Sequence, residues 1–157
     1  MIDMEIIKWQ TSDDAVFETI CRWNIEWWGH KTSGEAEVRS FMAHSLCADR
    51  LPQTFVALDG DQPVGMYQLQ MSDDLAGRPD IYPWLANVYV DENRRGEGIG
   101  RLLMESVREN AAKAGLSELY LYTHHVGLYE KFGWTLVEEV PTFQSDSPVE
   151  RLYRLDV

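Results

Sequence analysis

NVYVDENRRGEGIGRLLM, at Asn87–Met104, passes from a strand-like apolar run to a helical one through three glycines in five residues. Leu85–Val90 reads as a strand. Ile99, Leu102, Leu103, Val107, Ala111 and Ala114 recur at helical offsets and predict a helix ended by Gly115. Gly96, Gly98 and Gly100 let the backbone approach a ligand and turn several N–H groups inward. The helix start adds unpaired donors and the positive end of its dipole. Together they describe a phosphate or pyrophosphate cradle with Arg94, Arg95 and Arg101 as candidate counter-charges. A plain tight strand-to-helix turn is the alternative.

Outward from that loop, Met4–Trp9 reads as a first strand, and helix-start residues Thr11–Asp14 precede an amphipathic helix over 13–28. Thr32 and Glu35 have capping-box spacing and open a second helix, whose inner face is Val38, Phe41, Met42 and Leu46. Gln53–Leu58 and Val64–Met71 read as strands joined through Asp59–Gly60. Residues 72–83 hold Asp73, Asp74, Gly77, Pro79 and Pro83 and do not sustain regular structure. Leu119–Thr123 is a strand, 126–132 a short helix stopped by Gly133, and Trp134–Val140 and Arg151–Val157 closing strands. The order β-α-α-β-β-β-α-β-α-β-β mixes hairpins with helical crossovers, which is a mixed α/β (α+β) class around a central sheet. No repeat or linker divides residues 1–157, so one domain is expected.

The 157 residues carry 26 acids against 14 bases, a formal charge of −12 that argues against a nucleic-acid or anionic-membrane partner. Residues 91–115 are an exception, with 5 acids and 5 bases. Cys21 and Cys47 make no disulfide framework, and no metal is expected: His44 and Cys47 read as half-buried side chains on one helical face. MIDMEIIKW lacks the apolar core of a signal peptide, and no apolar run approaches the ~20 residues that span a bilayer, so a cytoplasmic protein is expected.

The loop has no Gly-Lys-Ser/Thr, which excludes a Walker A, and Arg101 occupies the third glycine's place in a G-x-G-x-x-G counted from Gly96. It does satisfy R-x-x-G-x-G with Arg95, Gly98 and Gly100. Here the chain resembles the GNAT superfamily of acetyl-CoA-dependent N-acetyltransferases, whose pyrophosphate loop is [QR]-x-x-G-x-[GA]. GLYEKFGW at Gly127–Trp134 is similar to that family's LYEKxGF segment. The resemblance implies a GNAT-like fold, a mostly antiparallel twisted sheet of about seven strands with about four helices. It also implies acetyl transfer to a primary amine, by direct attack in a ternary complex. Backbone at Val88 and Val90 would bind the pantetheine arm, and the N–H groups of Arg95, Gly96, Glu97, Gly98, Ile99, Gly100 and Arg101 the pyrophosphate. Tyr129 would protonate the departing thiolate. The implied partners are acetyl-CoA and the amine, with a homodimer left open. A non-catalytic acyl-CoA-binding module is the alternative function.

Two departures stand out. Tyr122 occupies the place of an asparagine found in many relatives, and Trp84 that of a glutamate base used in some. The base is left among Glu26, Asp80, His124, His125 and water. For the acceptor, Trp23, Glu26, Trp27, Trp28, Tyr82 and Trp84 offer aromatic faces with a carboxylate, suited to a cationic small molecule or peptide; Glu26, Trp28 and Trp84 are the substrate candidates.

Overall fold

The computed structural model describes residues 4–29, 34–73, 78–140 and 149–157. Thr32, Asp74 and Gly77, each given a reading above, lie outside these. The strands are β1 (Met4–Trp9), β2 (Gln53–Asp59), β3 (Gln62–Gln70), β4 (Trp84–Val90), β5 (Glu118–Thr123), β6 (Thr135–Val140) and β7 (Glu150–Asp156). Among the described residues three α-helices accompany them, α1 (Ala15–Trp28), α2 (Glu35–Ala43) and α3 (Ile99–Lys113). The seven strands form one sheet in the order β1-β2-β3-β4-β5-β7-β6, antiparallel at every step except β4–β5.

Strand alternation sorts side chains to two covered faces. Phe55, Ala57, Tyr67 and Leu69 face α3, where Ile99, Leu103, Val107 and Ala111 pack on them. Val56, Leu58 and Met66 face α1 and α2, against Phe17, Ile20, Cys21, Val38 and Met42. Gly65 seats the start of α3, because a Cβ there would lie 3.0 Å from both Leu103 Cδ1 and the Tyr89 carbonyl oxygen. Asp14 caps α1 by accepting from the Phe17 N–H at 2.8 Å.

Three local expectations are corrected. The fourth helix is a 3₁₀ turn of four residues, Tyr129–Phe132, bracketed by Gly127 (φ 82°) and Gly133 (φ 89°), which leave no room for an α-helical ladder. α2 ends at Ala43, so Leu46 lies beyond it and His44 caps its C-terminus with Nδ1 2.7 Å from the Ser40 carbonyl oxygen. Phe41 lies on the surface at 37 % exposure, its ring edge-on to Trp28, rather than on the inner face.

Cys21 and Cys47 are both free, and burial pushes the Cys21 thiol up to about 11. A thiol titration at pH 7 is expected to count at most one reactive cysteine in the folded protein and two after unfolding. Among the described residues, no helix is long and apolar enough to cross a membrane.

Candidate active site

β4 and β5 run parallel but share a single paired position, Trp84↔Tyr120, backed by the Tyr120 N–H donating to the Pro83 carbonyl at 2.9 Å. Beyond it they part. The cause lies in β4, whose register against β3 shifts between Met66 and Gln68, with Asn87 in the left-handed region at φ 53°. The bulge turns Val88–Val90 away from β5 and opens a crevice at the C-terminal ends of two parallel strands, where sheets of this kind commonly bind ligands. Val88 and Val90 pack toward α3, and Tyr89 toward α1.

At the end of β4, a 3₁₀ turn at Glu92–Arg94 leads into the glycines. Gly96 and Gly98 both sit at φ 84°, and Gly98 is the N-cap of α3 with no side-chain cap. The first turn of α3 has no acid, and the Leu102 N–H reaches back to the Gly98 carbonyl at 3.1 Å. The N–H groups of Ile99, Gly100 and Arg101 therefore precede the helical ladder and stand as donors at the positive end of the helix. Gly100 is helical and has room for a methyl group, the nearest side-chain atom being Val90 Cγ2 at 3.7 Å. Ile99, 1 % exposed, anchors the loop in the core.

The arginines divide differently from their sequence reading. Arg94 is a clamp, with Nη2 2.8 Å from Asp59 Oδ2 and Nε 2.8 Å from Glu97 Oε2, so its charge is spent within the protein. Glu97 thus holds the loop through its carboxylate. Arg101 pairs with Glu105 one turn on, at 2.9 Å. Arg95 lies over the Tyr89 ring at 5.5 Å and donates from Nε to the Val90 carbonyl at 3.2 Å. Beside the loop, α3 and the Tyr129–Phe132 turn enclose a depression of about 670 Å³ that includes Arg101, Arg108 and Lys131.

Tyr129 sits across the crevice. Burial pushes its hydroxyl above the ordinary phenol range, and the Thr123 side chain, its hydrogen-bond partner at the end of β5, draws it partly back. The hydroxyl therefore keeps its proton at neutral pH and is equipped to give it. The ring is fixed against Trp134 at 6.4 Å and Tyr153 at 6.0 Å. Tyr122 packs edge-on against Trp84 at 6.0 Å, while the loop after β5 is tied by the His125 N–H donating to Thr123 Oγ1 at 3.1 Å.

The acceptor candidates separate. Trp84 is 1 % exposed with its Nε1 donating to the Ile81 carbonyl at 2.7 Å, which makes it core and corrects its reading as a substrate contact. Trp28 is half-buried and donates to Asn24 Oδ1 at 2.8 Å. Glu26 is exposed on α1. Asp80 is exposed and 3.5 Å from Arg78, and His124 and His125 are exposed with their rings 4.4 Å apart. Trp27 and Tyr89 instead meet edge-on at 5.3 Å over a small cleft with Trp23, Asn24, Asn87 and Val88. Tyr89 and Asn87 had carried no acceptor reading. An asparagine tolerates left-handed backbone, but nothing in the local sequence announces the bulge that uses it.

Residues 51–136 match the sequence profile of a family described as "Acetyltransferase (GNAT) domain". An N-acetyltransferase of Bacillus subtilis strain 168, itself described as uncharacterised, is 30 % identical over 86 residues. That match takes in 54 % of this chain and 56 % of the relative, so it spans little more than half the curated relative's length. Solved structures with the same fold include an aminoglycoside 6'-N-acetyltransferase complexed with coenzyme A. Its TM-score is 0.74 at 16 % identity, covering 97 % of this chain and 96 % of that one. Another is a GNAT family acetyltransferase from Elizabethkingia anophelis with acetyl-CoA bound, with a TM-score of 0.68 at 14 % identity and full coverage of both chains (100 % each).

Proposed function

The chain belongs to the GNAT acetyltransferase family, and on that footing we propose that it transfers an acetyl group from acetyl-CoA to a primary amine by direct attack in a ternary complex. The observation that carries this reading is the crevice where β4 and β5 part, with uncapped helix donors at one strand's end and a protonated phenol at the other's. Structural relatives holding coenzyme A or acetyl-CoA support the same cosubstrate.

Acetyl-CoA supplies an activated acyl carbon and a thiolate leaving group. The N–H groups from Arg95 to Arg101 would hold its pyrophosphate, as the absence of an acid from the first turn of α3 favours. Arg108 and Lys131 in the adjacent depression would take the nucleotide end. The freed edge of Val88–Val90 would orient the pantetheine arm by main-chain hydrogen bonds. As the uncharged amine nitrogen bonds the acyl carbon and the carbon–sulfur bond breaks, Tyr129 gives its proton to the sulfur; the nitrogen gives up its surplus proton to solvent water, and the phenolate recovers one from the same source. The free cysteines suit a reducing compartment, and a cytoplasmic location belongs to this proposal.

A panel of primary amines with acetyl-CoA, followed by thiol release and acetyl-amine detection, tests the function. Amine-dependent thiol release is the expected result. Coenzyme A binding without turnover on any amine would leave a binding module instead, and no coenzyme A binding would remove both readings.

A further inference from the structure

The strand that carries the crevice edge has one residue more than its neighbour. Met66 pairs with Tyr89 and Gln68 with Ala86, so Tyr67 alone spans the interval that Asn87 and Val88 fill on β4. The extra residue shifts the pleat by one. Leu85 packs toward α3, and beyond the insertion Val88 and Val90 do so too, where regular alternation would have put residues 87 and 89. The shift depends on Asn87 holding φ 53°, a conformation in which a Cβ crowds the following carbonyl oxygen. The compensating bond comes from another strand: Asn87 Nδ2 donates to Gln68 Oε1 at 2.7 Å, and Gln68 is wholly buried.

Gln68 is not free to turn that oxygen away. The Thr54 hydroxyl donates its only proton to the Ser45 carbonyl at 2.8 Å, so toward Gln68 it can only accept, and Gln68 Nε2 lies 3.0 Å from it. The amide oxygen is left on the other side, where Gln70 Nε2 also donates to it at 3.1 Å. Gln70 Nε2 is held in turn, 3.1 Å from Ser45 Oγ, whose own proton goes to the Phe41 carbonyl at 2.7 Å. Both branches end on backbone carbonyls, one in α2 and one just after it. Resting on the acetyl-transfer reading, we propose that Gln68 is a positioning residue for the acyl donor. By binding the Asn87 amide it holds the one-residue insertion, and so keeps Val88–Val90 parted from β5 and open to the pantetheine arm. Gln68 acts through Asn87 alone and moves no proton.

The test compares coenzyme A with ADP, which carries the pyrophosphate but no pantetheine arm, by calorimetry on the whole chain. A loss of overall stability moves both affinities alike, so their ratio reads the crevice edge. Gln68→Met keeps the volume and removes Oε1. It is expected to lower coenzyme A affinity about tenfold while changing ADP affinity by less than about twofold. Glycine adopts left-handed backbone without an anchor, so in an Asn87→Gly background the same Gln68→Met change is expected to cost less than about twofold. Asn87→Ala, which spares the buried amides, is expected to reproduce the tenfold loss, with Asn87→Gly staying within about threefold of the wild type. Should Gln68→Met fail to fold, the contrast between those two single variants decides. Equal costs of Gln68→Met in both backgrounds, or equal affinities of Asn87→Ala and Asn87→Gly, would overturn the proposal. A wild type that binds ADP and coenzyme A equally would sink the acetyl-transfer reading, whereas tight coenzyme A binding with additive variants would sink the positioning role alone.

Discussion

Replacing Tyr129 with phenylalanine is expected to lower turnover by about a hundredfold or more while changing coenzyme A affinity by less than about twofold. The separation follows from what the residue touches. Its ring contacts with Trp134 and Tyr153 survive in phenylalanine, so the pocket keeps its shape. Only the proton is removed, and Thr123 Oγ1 retains the His125 N–H. Burial holds the Tyr129 hydroxyl above the ordinary phenol value, which extends the protonated range upward in pH. Wild-type turnover should therefore persist through neutral pH and fall only in the alkaline range where the phenol ionises; the variant should lack that limb. The same shift enters stability. A raised pKa contributes below the unfolded phenol's value, about 10, and its contribution is lost as pH rises through the folded value. Steady-state rates against pH, with coenzyme A titrations, check both parts, and unchanged kcat would remove Tyr129 from the chemistry.

Gly98→Asp is expected to weaken coenzyme A binding by about a hundredfold or more, with folding stability changed by only about 1 kcal/mol. A carboxylate there would stand at the uncapped donors of Ile99, Gly100 and Arg101 and meet a pyrophosphate of like charge. The left-handed backbone costs a non-glycine residue about 1–2 kcal/mol, and the favourable placement of an acid at a helix N-terminus offsets about 0.3–1 kcal/mol of that. No heavy atom lies within 4 Å of a Cβ at Gly98, so there is no clash to add. Gly98→Asn is the control, with a similar tolerance of left-handed backbone and no charge. If asparagine and aspartate lower the coenzyme A-induced thermal shift equally, the electrostatic account fails and conformation alone explains the loop.

Much of the architecture is local in origin and was legible as such. Short apolar runs bounded by turn residues marked the seven strands, and the spacing from Ile99 to Ala111 marked α3. The 126–132 segment misled because Leu128 and Phe132 have helical spacing, yet the left-handed glycines at 127 and 133 confine it to one 3₁₀ turn. Phe41 misled because α2 is only nine residues long and its ring has Trp28 to rest on at the surface. Charge counting failed at Arg94 for another reason. Its partner Asp59 is 35 residues away, and only folding reveals that this cation is already neutralised. Trp84 and Trp27 look alike in sequence, but one fills the sheet's core at 1 % exposure and the other lies open at 57 %.

By itself the sequence determined the element order and the glycine loop, because hydrophobic period and glycine conformation are properties of neighbouring residues. Tertiary structure alone decided where β4 leaves β5 and which charges remain available. Each of these depends on groups brought together from distant segments: a register shift against β3 and a carboxylate on β2.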